Sequence, residues 1–101
     1  MAQHGLKQAA TPAASDDAEL AARALARDAS AFRAIMQRHN RRLYRIARGI
    51  LRNNTEAEDA VQDAYVSAFT HLANYRGEST LTTWLSRIVM NEALEIGRAH
   101  V

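Results

Sequence analysis

The residues with the strongest chemical character lie next to each other near the middle of the chain. The segment from Asn54 to Tyr65, NTEAEDAVQDAY, holds four carboxylates and no basic residue. The twenty residues from Arg33 to Arg52 hold seven arginines and no acidic residue. Charges separated in this way are typical of two distinct surfaces, although the formal net charge of the chain is only +2.

Each charged segment has more than one interpretation. Arginines on one side of a helix are commonly a solvated surface, but they can also neutralise the phosphates of a nucleic acid. Some of them could instead pair with the acidic segment that follows. The acidic segment either matches the positive end of a helix dipole or docks a basic partner.

Catalytic chemistry is poorly supported by the residue types present. Glu58, Asp59 and Asp63 resemble a metal or acid–base cluster, but no histidine lies at a ligand spacing from them. Phosphate-binding glycine loops, serine elbows and paired-histidine zinc helices are all missing from the sequence. The chain also has no cysteine, which excludes disulfides and thiolate metal sites. We therefore predict a protein that is not an enzyme and that uses no metal or cofactor.

The spacing of apolar residues predicts an all-α fold, a compact bundle of about four helices in one domain. Residues 1–15 are predicted to be a flexible tail, with Ser15 or Asp16 capping a short first helix. Asp28 is predicted to cap a long amphipathic helix that ends at about Leu51. His39 lies on the apolar side of this helix, so we expect it to be packed in the core.

The acidic segment is predicted to begin a third helix. Thr55 and Glu58 have the spacing of a capping box, in which each side chain satisfies an amide at the helix start. The apolar side of this helix repeats with the helical period. Its members are Ala57, Ala60, Val61, Ala64, Tyr65, Ala68, Phe69 and Leu72.

A loop containing Gly77 separates this helix from the last one. Ser79 is predicted to cap a helix from about Thr80 to Ile96, and Gly97 is predicted to end it. Trp84 falls on its apolar side, so packing is expected from it rather than base stacking. No apolar run is long enough to cross a bilayer, and the first residues lack a signal peptide's apolar segment. We therefore predict a cytoplasmic protein.

Several segments together resemble region 2 of extracytoplasmic-function sigma factors. The matching pieces are TEAEDAVQDAYVSAF, ANYRGES and TTWLSRIVMNEALEIGR, and DASAFRAIMQRHNRRLYRIARGIL resembles the long helix that precedes them in the family. The resemblance implies a sigma region 2 domain over residues 16–98. The second, −35-binding domain of the family is expected to be absent.

The resemblance also implies partners. Domains of this family bind bacterial core RNA polymerase, and they recognise and help to melt the promoter −10 element while holding its non-template strand. By the same resemblance, Asp59, Gln62 and Asp63 would face the clamp helices of the polymerase β′ subunit. These three residues lie off the apolar stripe and on one side of the helix.

The loop between the last two helices would capture a −10 base that has left the stack. A tyrosine beside an arginine in an exposed loop also suits an unpaired base. Glu92 and Glu95, in contrast, would place negative charge close to the DNA. The candidate DNA-binding residues are Asn74, Tyr75, Arg76, Arg87, Asn91 and Arg98.

Other hypotheses compete with this one. A sigma mimic would bind an anti-sigma factor without opening a promoter, and an ordinary DNA-binding domain would read duplex DNA. AEDAVQD and NYRGEST favour a sigma factor, because a mimic does not need both a polymerase surface and a base-capture loop. An anti-sigma factor is an expected partner, insertion into a membrane is not expected, and an enzyme is the most distant alternative.

Overall fold

The computed structural model of the chain describes residues 12–99. This part contains four α-helices and no strand, which confirms the predicted all-α bundle. The helices are α1 (Pro12–Leu25), α2 (Ala29–Ile50), α3 (Asn54–Thr70) and α4 (Leu81–Ala99), and a 3-10 turn (Leu72–Asn74) follows α3.

The start of α1 differs from the sequence-based expectation. The helix begins at Pro12, and proline is favoured at a first helical position because it has no amide hydrogen to satisfy there. The predicted cap at Ser15 or Asp16 is therefore wrong, since both residues lie inside α1. Of the predicted tail, residues 1–11 lie outside the described part of the chain.

The turn between α1 and α2 is held by Asp28, as predicted. Its carboxylate caps α2 by accepting hydrogen bonds from the amides of Ser30 at 3.0 Å and Ala31 at 3.3 Å. The Ser30 hydroxyl and the Arg23 guanidinium also donate to it. These bonds lower the pKa of Asp28 to about 2. Arg27 occupies the left-handed region at φ 73°, a conformation that closes the turn at some cost in strain.

The beginning of α3 is displaced from its predicted position. Asn53 is the N-cap, and its side chain accepts a hydrogen bond from the Glu56 amide at 2.8 Å. The predicted capping box of Thr55 and Glu58 is therefore wrong, because both residues already lie inside the helix.

Arg48 explains the position of this junction. Its Nε donates to Asn54 Oδ1 and its Nη1 donates to the Leu51 carbonyl, both at 2.9 Å. The guanidinium thus satisfies a carbonyl at the end of α2 and holds the first residue of α3. One side chain therefore bonds to both sides of the junction between α2 and α3.

The core lies where α2, α3 and α4 meet. The largest fully buried side chains are Ile35, Leu43, Leu81, Leu85 and Val89. Helix α3 contributes mainly alanines, which allow its neighbours to approach closely. Of the apolar side predicted for α3, Phe69 is 41% exposed.

Two buried polar side chains connect α2 to its neighbours. The Tyr65 hydroxyl of α3 donates to the Met36 carbonyl of α2 at 2.9 Å, and burial raises the pKa of Tyr65 to about 12. His39 is buried, as predicted, and its Nε2 lies 3.5 Å from the Asp17 carboxylate of α1. Burial lowers the pKa of His39, although Asp17 opposes this shift. Arg38 pairs with the same carboxylate at 3.1 Å, so one acid fastens α1 to α2.

Both ends of α4 differ from the prediction. Thr80 caps the helix, because its hydroxyl accepts from the Thr83 amide at 3.1 Å, so the predicted Ser79 cap is wrong. The helix also continues through Gly97 to Ala99. A Cβ added at Gly97 would lie 3.6 Å from Leu51 Cδ2. Gly97 therefore lies against the α2–α3 junction instead of ending the helix.

Candidate functional site

The predicted polymerase-binding residues share one exposed side of α3. Asp59, Gln62 and Asp63 are all exposed, on the side opposite to the buried alanines. Within residues 12–99, the structure gives their side chains no ion pair and no hydrogen bond. The two carboxylates are consequently not neutralised by described side chains of the domain, and they are available to a basic partner.

An apolar groove adjoins this acidic surface. It has a volume of about 540 Å³, and Gln62 lies on its edge. Its apolar lining includes Phe32, Tyr65, Val66 and Phe69, of which Val66 is 67% exposed. Sequence reasoning missed Val66. The available signal was an apolar residue one helical turn after Gln62, on the polar side of the helix.

The loop after α3 presents some of its candidate residues and uses another structurally. Asn74 and Arg76 are exposed. Tyr75 is half-buried, with its ring centroid 5.2 Å from that of Trp84 and its hydroxyl donating to the Ser79 carbonyl at 2.9 Å. Burial raises the pKa of Tyr75. Tyr75 therefore fixes the loop, while Asn74 and Arg76 remain accessible.

The candidate residues of α4 also share one side of their helix. Arg87, Asn91 and Arg98 are exposed, and their separations of four and seven residues place them along one face. Glu95 is exposed beside them. This face offers hydrogen-bond donors to phosphate oxygens or base edges along most of the helix.

The arginines of α2 divide into two groups. Arg38 and Arg48 make contacts that hold the domain together. The others are exposed and have no hydrogen bond or ion pair with a described residue; they are Arg33, Arg41, Arg42 and Arg45. None of the described ion pairs joins an α2 arginine to Asp59 or Asp63, which argues against the interpretation that the two charged helices neutralise each other.

Two further kinds of feature were sought among the described residues, a metal-binding cluster and a membrane-spanning helix. No group of histidine, aspartate or glutamate residues within 12–99 is arranged to hold a metal ion. Among the helices of this part, none has the length and apolar character needed to cross a membrane.

Comparisons with known proteins identify a family and several relatives of this chain. The family model for sigma-70 region 2 matches residues 35–100. The ECF RNA polymerase sigma factor SigM of Mycobacterium tuberculosis is 42% identical over 78% of this chain and 40% of its own length. The RNA polymerase sigma-H factor of Pseudomonas aeruginosa is 31% identical over 76% of this chain and 40% of its own.

A solved structure shows the same fold. CnrH, in complex with the cytosolic domain of CnrY, superposes with a TM-score of 0.74 at 31% identity, over 82% of this chain and 54% of that one. The chain spans about two fifths of the length of the curated relatives named above.

Proposed function

The chain belongs to the sigma-70 region 2 family, as an extracytoplasmic-function sigma factor domain, and from this premise we propose that it docks on core RNA polymerase. The docking surface is the exposed side of α3, and the partner is the clamp-helix pair of the β′ subunit. The docked domain then recognises the promoter −10 element and helps to melt it. Such a role belongs to transcription initiation in the cytoplasm and requires no catalysis and no cofactor.

The observation that carries the proposal is that Asp59 and Asp63 have no ion pair with any side chain of residues 12–99. A salt bridge within the domain would have to be broken before Asp59 or Asp63 could meet a basic partner. The structure gives neither residue such a bridge within residues 12–99, and Gln62 between them is equally exposed. Charges at an interface of this kind steer association and set orientation.

The neighbouring groove supplies the apolar part of the same interface. Val66 continues the line of Gln62 by one helical turn, and the Phe69 side chain is 41% exposed at the groove wall. A partner helix could place an apolar ridge in this groove and basic residues beside the carboxylates. Burial of apolar area would then supply affinity, and the carboxylates of Asp59 and Asp63 would fix the position of the partner helix along the groove.

Promoter contact is proposed for the loop after α3 and for the exposed face of α4. Asn74, Tyr75 and Arg76 contact a −10 base of the non-template strand, and Arg87, Asn91 and Arg98 follow the strand. Capture of a base that has left the stack makes recognition and opening a single event, because binding offsets the cost of unstacking. Binding free energy therefore drives the opening.

A second partner is supported by the structural neighbour. CnrH was solved in complex with the cytosolic domain of CnrY, so a chain of this fold binds another protein. We propose that an anti-sigma factor binds the present chain and competes with polymerase. A mimic that binds only this factor is the alternative function.

The test is binding of the chain to a β′ clamp-helix fragment. Asp59→Arg and the double variant Gln62→Ala/Asp63→Arg should lose binding, because charge reversal replaces attraction by repulsion. Glu19→Arg is the matched control, since Glu19 is exposed on α1, and it should bind like the parent. A folded parent that fails to bind the clamp helices, while binding an anti-sigma factor, would establish the mimic instead.

A further inference from the structure

A cleft separates α1 from the loop that precedes α4. It has a volume of about 670 Å³, which is within the usual range of about 300–1,000 Å³ for ligand pockets. The loop wall runs from Tyr75 to Leu81, and the opposite wall is one side of α1. Helix α1 lies outside the residues 35–100 that match the family model.

The two walls have different chemistry. The α1 wall is formed by Ala18, Ala21, Ala22 and Leu25 together with Asp17, so it is mainly apolar, and its small side chains leave a shallow surface. The loop wall carries the exposed guanidinium of Arg76 and the exposed carboxylate of Glu78, a donor and an acceptor. A nucleobase has this combination, because its faces are apolar and its edges form hydrogen bonds.

The cleft is also held open by structure on both sides. On the α1 side, Asp17 is tied to Arg38 of α2, which compensates a carboxylate that would otherwise repel a phosphate. On the loop side, the Tyr75 hydroxyl donates to the Ser79 carbonyl at 2.9 Å, and this bond spans Gly77, which adopts φ 78°. The walls therefore exist before a ligand arrives, and an entering base does not have to order them.

We propose that α1 forms the second wall of the base-capture site, and that Ala18 and Ala22 limit the size and position of the unpaired base that enters. The base stacks against the alanine side of α1 while its edge faces the loop. This inference rests on the proposed promoter function and deepens it. It assigns a binding role to a helix that none of the candidate contacts includes.

The test compares Ala18→Leu and Ala22→Leu with Ala26→Leu. Ala18 and Ala22 are exposed in the cleft, and Ala26 is exposed outside its lining. Ala18 and Ala22 lie in α1, where leucine nearly equals alanine in helix propensity, and Ala26 is exposed in the turn that follows α1, so all three variants should fold. Leucine at position 18 or 22 fills part of the cleft, whereas leucine at position 26 does not.

The probes are oligo-dT strands of roughly eight nucleotides with a central A, C, G or T. They share one length and one phosphate charge, so differences between them report the base. The parent should prefer one central base, and binding should shift the amide NMR signals of Ala18 and Gly77 together. Ala18→Leu and Ala22→Leu should lower the affinity for the preferred strand by about fivefold or more, as expected for a lost stacking contact. Ala26→Leu should bind like the parent.

Several outcomes would overturn the inference. These are a parent that binds none of the strands, strand binding that shifts loop signals without α1 signals, and Leu variants at positions 18 and 22 that bind like the parent. Clamp-helix binding is measured on the same preparations. If it persists in the parent, only the cleft assignment fails, and if it is lost as well, the proposed function fails.

Discussion

Replacement of Arg48 by alanine should destabilise the domain far more than replacement of its neighbour Arg45. Arg48 makes two hydrogen bonds at 2.9 Å, one to the half-buried Leu51 carbonyl and one to the exposed Asn54 side chain. A hydrogen bond contributes about 0.5–1.5 kcal/mol net, and more with a charged donor. With a discount for the exposed bond, Arg48→Ala should cost about 1–2 kcal/mol. Arg45 is exposed and has no described contact, so Arg45→Ala should stay within about 0.5 kcal/mol of the parent.

Urea unfolding followed by circular dichroism measures both variants against the parent. The two changes remove the same charge from the same helix and alter helix propensity equally, so their difference isolates the junction. The melting temperature should fall by roughly 5–15 °C for Arg48→Ala, given about 4–8 °C per kcal/mol for a domain of this size. Equal stabilities of the two variants would refute the idea that Arg48 holds the junction between α2 and α3.

Three further predictions concern the core. Tyr65→Phe should cost about 1 kcal/mol in urea unfolding, because the bond to the Met36 carbonyl is lost, and Tyr44→Phe, which loses no described bond, should be neutral. Because the pKa of Tyr65 is raised to about 12, its contribution to the free energy of unfolding is present below pH 10 and is lost as the pH rises through 12. The Tyr65→Phe variant should not show this loss of stability. Because the pKa of His39 is lowered in the folded state, this residue contributes to the free energy of unfolding above pH 6.5. The contribution is lost as the pH falls through the folded-state pKa. The free energies of unfolding at pH 7.5 and pH 5 should therefore differ less for His39→Gln than for the parent. Leu43→Ala empties a fully buried position and should cost about 2–5 kcal/mol in the same assay.

Local signals in the sequence predicted α2 well and its neighbours less well. The Asp28 cap and the regular apolar spacing depend on residues of the helix itself, and both are confirmed. The apolar spacing of α3 did not reveal the Asn53 cap at its start or the bond from Arg48 to Asn54. Gly97 similarly stays helical because its surroundings are set by Leu51 in a distant part of the chain.

The candidate surfaces show the same division. The three polar residues of α3 could be placed on one side from helical spacing alone, because one rigid element positions them. The cleft could not be predicted, because its walls come from α1 and from the loop before α4, and only their packing brings them together. The groove could be predicted only in part. Helical spacing placed Phe69 on α3, but the residue was expected to be buried and is instead 41% exposed.

The alanine-lined packing of α3 has a mechanical consequence. Ala57, Ala60, Ala64 and Ala68 are at most 1% exposed, and α3 packs directly against α4. Small side chains in close contact leave little room for two helices to slide or tilt past one another. The surface proposed for polymerase and the helix face proposed for DNA should therefore keep a fixed mutual orientation, without a hinge between them. Under the proposed function, the domain would act as a rigid template, and the bending and strand separation needed for promoter opening would fall on the DNA.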